Sequence, residues 1–246
     1  MIAATLRTIT GRKGSFLGGT AVVLAGAIIV LVVLFVVHEL RPGRNPSIGG
    51  QPLLEGIGGA IFLLGVVVAI LIGALAGSYD VAQGTMRYLV ITGARRSQIY
   101  GARTVALVLA VMRMLAPAIV LGVVGALVLP HADADAAGVR EIADFVWTSV
   151  VYAVVFALIS MGIGSVLRSN GPAIAISLIF SIGFTPLLLL LYTVNDTLGD
   201  LTLISSLDRL TGGDPGVSIP VAAVAVVAWV GLFWVAGALR VQRDEY

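Results

Sequence analysis

The stretch that decides the fold is the first long apolar run, Phe16 to Val37, which reads FLGGTAVVLAGAIIVLVVLFVV. It contains no charged residue over its 22 positions. A helix needs about 20 apolar residues to cross a hydrocarbon core of roughly 30 Å. The basic residues Arg7, Arg12 and Lys13 precede the run, as they would in a signal peptide, but a signal-peptide core has only about 7–15 apolar residues. We therefore expect a retained membrane-spanning helix.

Five further runs of the same kind predict an all-α integral membrane protein with one transmembrane domain over residues 1–246. The six predicted spans are 16–37, 57–76, 104–129, 145–167, 173–194 and 219–239. These runs are continuous rather than alternating, which excludes a membrane β-barrel. An interfacial helix over 1–15, a cytoplasmic segment over 77–103 and an extracellular loop with short helices over 195–218 complete the prediction.

Composition narrows the class of protein further. The apolar fraction is 59% and the charged fraction 11%, whereas soluble chains are about 25% charged. A soluble enzyme, a disordered regulator and a nucleic-acid-binding domain are thereby excluded, so we expect the lipid bilayer and no nucleic acid as a partner. The chain has no cysteine, so it can form neither a disulfide nor a thiolate metal site.

The distribution of Lys and Arg predicts the orientation. Segments 1–15, 77–103, 168–172 and 240–246 hold ten basic residues, and segments 38–56, 130–144 and 195–218 hold four. The positive-inside rule then places both termini in the cytoplasm. The use of 14 Arg against one Lys, with much Ala, Gly and Val, is typical of a GC-rich bacterial genome, so we expect the bacterial plasma membrane.

Several kinds of chemistry are absent from the sequence. A phosphate-binding loop needs G-x-x-x-x-G-K-[ST], and the only lysine, Lys13, is not in such a motif. We therefore expect no ATP hydrolysis, bound cofactor or metal in this chain alone. Arg113 is the only ionisable residue within a predicted span, and it either lines a pathway or snorkels to the interface. The lack of acids in the spans argues against an ion-coupled carrier.

The segment between the second and third spans carries the most information. It contains Asp80-x-x-x-Gly84-Thr85-x-Arg87 and then Gly93-x-Arg95-Arg96. This pattern predicts a helix, a break at Gly93 and a second helix, with two arginines placed to contact lipid headgroups or an acidic partner. A plain positive-inside loop is the alternative.

A glycine pair lies just before this segment. Gly73-x-x-x-Gly77 has the small-residue spacing of a close helix contact. From the sequence alone it could form a seam with a second subunit or pack within one subunit.

The order Asp80-x-x-x-Gly84-Thr85-x-Arg87, followed by Thr92-Gly93-Ala94-Arg95-Arg96, resembles the cytoplasmic segment of type-2 ATP-binding cassette (ABC) exporter permeases. In that family the acid is usually Glu, and Pro-x-Ser-Arg is common in the later element. The order of an interfacial helix, six spans, a long second cytoplasmic loop and a structured loop before span six is also similar.

The resemblance implies a coupling helix that docks on a separate ATPase subunit. The implied contact residues are Asp80, Gly84, Thr85, Arg87, Gly93, Arg95 and Arg96, with Arg168 and Asn170 of the loop 168–172 as a smaller docking element. It also implies two ATPase copies that use ATP and Mg, and a second permease subunit in a homodimer or heterodimer. The uncharged spans favour an amphipathic or hydrophobic cargo, such as a drug, peptide or lipid-like molecule. A secondary carrier or channel, and a non-transporting membrane anchor or immunity protein, stay open as alternatives.

Overall fold

The computed structural model describes residues 2–11, 13–41, 48–83, 95–131, 136–213 and 216–243. Helices are the only regular structure among these residues. In chain order they are α1 (Ile2–Thr10), α2 (Lys13–Leu40), α3 (Gly50–Ala60, a π-helical turn Ile61–Gly65, then Val66–Ala82), α4 (Arg96–Val128), α5 (Val139–Leu167), α6 (Asn170–Leu178, a π-helical turn Ile179–Phe184, Thr185–Leu187, then a 3-10 turn Leu188–Thr193), α7 (Asp196–Asp200), α8 (Leu203–Leu210) and α9 (Ile219–Gln242).

Within the described ranges, α2, α3, α4, α5, α6 and α9 are long and apolar enough to cross a membrane, with spans of 24 to 33 residues. The predicted all-helical fold with six such helices, as in a multi-pass membrane protein, is confirmed at this level. Several helices extend beyond the predicted apolar runs: α3 begins at Gly50 and α4 at Arg96. Hydropathy identifies only the part of a helix that is apolar enough for the hydrocarbon core. The helix itself can continue into the polar interface, because its backbone hydrogen bonds do not depend on hydropathy.

Backbone contacts divide the chain into two compact units. The smaller unit comprises Arg12–Val68 and Val111–Ala153, and the larger comprises Met1–Gly11, Ala69–Ala110 and Val154–Tyr246. The most apolar windows of α3 and α5 are 56% and 67% buried, whereas those of α2, α6 and α9 are only 17%, 17% and 11% buried. The exposed apolar faces of these last three helices need lipid or another subunit to cover them.

In the smaller unit, α3 begins where two glycines allow the chain to touch the end of α4. The backbone N–H groups of Ile48 and Gly49 both donate to the carbonyl of Pro130, at 3.0 Å each. A Cβ atom on Gly49 would lie 2.5 Å from the carbonyl oxygen of Leu129. Gly50 has a φ of +69°, which is the left-handed region that glycine adopts at little cost.

In the larger unit, small residues bring α3 and α5 into backbone contact. A Cβ atom on Gly73 would overlap the carbonyl oxygen of Ala157, and one on Gly164 would overlap the carbonyl oxygen of Ala74. A Cβ atom on Gly77 would likewise collide with the α5 backbone. The Gly73-x-x-x-Gly77 pair, whose partner the sequence left open, therefore packs within the chain. We call this contact the α3–α5 seam.

The final helix packs on α4 and α5 of the larger unit. Gly162 of α5 lies so close to α9 that a Cβ atom there would overlap the carbonyl oxygen of Phe233. The indole N–H of Trp234 donates to the hydroxyl of Thr104 at 2.9 Å, and the rings of Trp234 and Tyr100 are 5.4 Å apart. These contacts fix the last turns of α9 beside the start of α4.

The segment between α6 and α9 contains two short helices that side chains hold in place. Asn195 caps α7, because its side-chain oxygen accepts two backbone N–H groups of the first turn. The Tyr192 hydroxyl donates to the Asp200 carboxylate at 2.7 Å. The indole N–H of Trp229 in α9 donates to the carbonyl of Leu201, between the two helices, at 3.2 Å. The segment is thereby anchored to both of its neighbouring long helices.

Candidate partner-docking site

The residues of the predicted coupling segment differ in what the structure describes. Gly84, Thr85, Arg87 and Gly93 lie outside the described residues. Asp80 lies in the last turns of α3, and its side chain is not described either. The helices on either side are defined, because α3 ends at Ala82 and α4 begins at Arg96.

Arg96 binds the end of the last helix. Its Nη1 atom lies 3.4 Å from the carbonyl oxygen of Val241 and 3.3 Å from that of Gln242. The last carbonyls of a helix have no partner within it and carry the negative end of its dipole, so a guanidinium there is favourable. Arg96 thus has a role inside the chain, as a cap for α9.

Arg95, unlike Arg96, has no side-chain partner among the described residues. Its side chain is exposed and forms no hydrogen bond or ion pair with any described residue. Its carbonyl accepts the N–H of Ile99 at 3.1 Å, which is the first hydrogen bond of α4. A cation at a helix N-terminus opposes the helix dipole, at a cost of about 0.3–1 kcal/mol. An acidic partner would relieve this repulsion, so Arg95 is the member of the pair that is available for docking.

A hydrogen bond joins the two predicted docking elements. Ser78 of α3 is fully buried, and its hydroxyl lies 2.8 Å from Oδ1 of Asn170 and 2.9 Å from the carbonyl oxygen of Ala74. A hydroxyl carries one proton, which here is shared between two acceptors. Asn170 is the first residue of α6, so this bond connects the start of the segment 77–103 to the loop 168–172. The sequence analysis missed Ser78, because a serine in an apolar helix gives no sign of its partner.

Arg168 occupies a strained turn between α5 and α6. Its φ is +61°, and its N–H donates to the carbonyl of Gly164 at 3.0 Å, as in a left-handed helix cap. An L-residue other than glycine in this conformation costs about 1–2 kcal/mol. The predicted loop 168–172 is shorter in the structure: only Arg168 and Ser169 are non-helical, because Asn170 already starts α6.

The strain at Arg168 predicts a difference between two substitutions. Arg168→Ala keeps the unfavourable φ, whereas Arg168→Gly relieves it, so we expect the glycine variant to be more stable by about 1 kcal/mol. For a chain of this size that corresponds to about 2–4 °C in the unfolding temperature, measured in detergent. If the guanidinium contacts a partner, both variants lose partner binding equally. Equal unfolding temperatures would contradict the strained turn.

Arg103 is a cation that the sequence analysis assigned to a cytoplasmic loop. The structure places it inside α4, where it is only 3% exposed. Its neighbour Tyr100 is also buried. Because the side chain of Arg103 is buried within the chain, it cannot contact a docking partner.

Arg113 lies on an exposed surface of α4. Arg113 and Met112 are both exposed, and Arg113 forms no side-chain hydrogen bond or ion pair with any described residue. At 1.5 Å per residue it is about 25 Å from the first residue of α4 and about 22 Å from the last. Arg113 therefore does not line a path enclosed by the described helices of this chain.

Comparisons with known proteins give no family. A search of protein-family models finds no match, and no curated protein is significantly similar to the chain.

Proposed function

We propose that this chain is the membrane-spanning permease subunit of an ABC exporter. It would work with two copies of a separate ATPase subunit, which bind ATP and Mg, and with a second permease subunit. The main support is the bond between Ser78 and Asn170, because it joins the two segments that resemble the docking elements of that family. The availability of Arg95 at the start of α4 adds an electrostatic reason for an acidic partner at the same place.

Force would pass from the ATPase to the membrane helices through these contacts. ATP binding closes the ATPase dimer and moves the coupling segment, which is continuous with α3 and α4. The Ser78–Asn170 bond carries the movement from α3 to the start of α6. At the α3–α5 seam, backbone meets backbone with no side chain between that could absorb the displacement. Closely packed elements transmit such shifts because they cannot deform continuously.

The exposed helix faces support a paired assembly. One copy has few buried residues on α2, α6 and α9, and two copies would cover part of this apolar surface and enclose a pathway between them. Arg113, which is exposed in one copy, would then face lipid or the second subunit. The spans otherwise offer apolar walls, which suit an amphipathic or hydrophobic cargo.

We place the chain in the bacterial plasma membrane with both termini in the cytoplasm and α1 on the inner leaflet. In α1, Ile9 is buried by the chain itself and Arg7 is exposed, so the helix leaves a basic side chain free to meet lipid headgroups. Since the chain has no cysteine, single introduced cysteines report this topology without background. Ala136→Cys and Ser218→Cys should react with an impermeant thiol reagent in intact cells, whereas Gln98→Cys and Arg243→Cys should react only after lysis. Labelling of Gln98→Cys from outside would reverse the orientation.

The function is tested by purification with and without an ATPase. The isolated chain should show no ATP turnover, because it encodes no phosphate-binding loop. An ATPase subunit encoded beside it should co-purify, and the complex in vesicles should accumulate cargo only with ATP and Mg. ATP turnover by the isolated chain, or cargo movement without any ATPase, would overturn the proposal and favour a secondary carrier or channel. Partner capture without any cargo movement would favour an anchor or immunity protein.

A further inference from the structure

The smaller unit contains a cavity of about 340 Å³ between the first half of α3 and the first turns of α5. Its lining runs from Gln51 to Val66 on α3 and from Glu141 to Tyr152 on α5. This volume lies within the range of small-molecule sites, about 300–1,000 Å³. None of its lining residues belongs to the docking site described above.

Acidic side chains gather at one end of the cavity. Glu55, Glu141 and Asp144 all line it. Asp144 faces Arg140 at 3.8 Å, but both side chains are well exposed, so this pair contributes little. Glu55 accepts only the neutral amide of Gln51, at 2.8 Å. Among the described residues, Glu55 and Glu141 have no cationic partner, and the rim therefore has an excess of negative charge.

The opposite end of the cavity is aromatic. Phe62 and Tyr152 line it, and their rings meet edge to face, with centroids 5.1 Å apart and planes at 75°. Aromatic faces attract organic cations, by about 0.5–2 kcal/mol for each contact. Carboxylates and aromatic rings together select a cation that also has an apolar body.

A serine that is mostly buried but lines the cavity provides an independent indication of a ligand. Ser149 is only 6% exposed and lines the cavity, yet it forms no side-chain hydrogen bond with any described residue. Its Oγ is not among the fully enclosed unpartnered oxygens of the described residues, so it is accessible from the cavity. An N–H donor on a bound molecule would supply this missing bond.

The two ends of the cavity are also expected to lie at different depths in the membrane. Glu55, Glu141 and Asp144 lie just outside the apolar runs 57–76 and 145–167, whereas Phe62 and Tyr152 lie within them. The acidic end should therefore meet water at the interface, while the aromatic end reaches hydrocarbon depth. An amphiphile has the same arrangement of a polar head and an apolar body.

We propose that this cavity binds an amphiphilic organic cation. The charged head group lies at the carboxylates of Glu55 and Glu141, the apolar body lies against the aromatic end, and an N–H group of the head, where present, donates to Ser149. As a cargo site this rests on the proposed function, but binding itself needs no ATPase. The two proposals can therefore fail separately.

Binding is tested on the full chain in detergent, without an ATPase. The probes are tetraphenylphosphonium, a permanent aromatic cation, and tetraphenylborate, an anion of nearly the same size and shape. We expect saturable binding of the cation, at least tenfold tighter than binding of the anion and weakened by salt. Equal binding of the two ions would overturn the proposal, because it would reduce the cavity to a general apolar surface.

Substitutions that remove a charge but keep the side-chain shape test whether the acidic end of the cavity binds the cation. Glu55→Gln combined with Glu141→Gln should weaken binding of the cation at least tenfold while leaving the unfolding temperature unchanged. Asp144→Asn is the matched control and should have a smaller effect, because Arg140 already offsets that charge. Wild-type affinity in the double variant would overturn the proposal.

Two further measurements separate the remaining outcomes. Ser149→Ala should weaken binding of 2-naphthylmethylammonium, which has N–H groups, at least threefold and leave tetraphenylphosphonium unaffected. Binding of the cation should not change with protein concentration; a loss on dimerisation would show that a second copy fills the cavity, and would overturn the proposal. If the chain binds the cation but no ATPase complex transports cargo, the proposed function is wrong and the binding site is still supported.

Discussion

Gly73→Leu is expected to prevent stable packing of α3 on α5. Even a Cβ atom at this position overlaps the carbonyl oxygen of Ala157, and a backbone atom cannot rotate away as a side chain can. Overpacking a core typically costs about 1–3 kcal/mol, and separation of two helices belongs at or above the top of that range. We expect a fall of about 10 °C in the unfolding temperature, with aggregation during size-exclusion chromatography.

A second glycine in the same helix provides the matched control. Gly59 is exposed and has no atom within 4 Å of its would-be Cβ. Gly59→Leu should be neutral or slightly stabilising, because leucine favours the helix by about 0.5–1 kcal/mol over glycine. Gly73→Ala should be intermediate between wild type and Gly73→Leu. If Gly73→Leu and Gly59→Leu unfold at the same temperature, the α3–α5 seam is not formed.

Arg95→Glu should strongly weaken partner binding while preserving, or slightly raising, stability. A glutamate at the first turn of α4 favours the helix dipole by about 0.3–1 kcal/mol, which is the reverse of the arginine that it replaces. Toward an acidic partner the same change creates repulsion in place of attraction. A loss of about 2 kcal/mol at the interface weakens capture of the ATPase roughly 30-fold. The measurement is capture of the ATPase on immobilised permease, together with the unfolding temperature.

Arg96→Glu provides the comparison for Arg95→Glu. This change removes the cap of α9 and places a negative charge beside the carbonyls of Val241 and Gln242. Loss of the cap costs about 1 kcal/mol, which the gain from Glu at the start of α4 offsets in part. We therefore expect faster hydrogen exchange in the last turn of α9 as the clearest effect. If Arg95→Glu captures the ATPase as well as wild type does, the exposed arginine is only part of the positive-inside signal.

The sequence predicts the helices of this protein better than it predicts their contacts. Hydropathy located all six long helices, because apolar length is a local property. It could not locate the starts of α3 and α4 at Gly50 and Arg96, because the first residue of a helix is determined by backbone contacts and capping. Gly73 and Gly77 signalled a close helix contact, but only the fold identified α5 as the partner.

The candidate sites were less predictable still. Arg95 and Arg96 are adjacent and chemically identical, and only the position of the α9 terminus separates a cap from an exposed charge. Ser78 and Asn170 are 92 positions apart, a pairing that no local pattern contains. The cavity likewise needs α3 and α5 side by side before Glu55 and Glu141 share a rim.

The two-residue connection between α5 and α6 also constrains how the protein is made. Only Arg168 and Ser169 separate Leu167 from Asn170, so no tether is long enough for one helix to integrate while the other waits at a distance. The two helices would leave the ribosome in sequence and enter the bilayer together, as a hairpin. A premature stop after Leu167 would leave α5 without α9, whose Phe233 packs against Gly162. Such a fragment should be a substrate for membrane quality control rather than a stable intermediate.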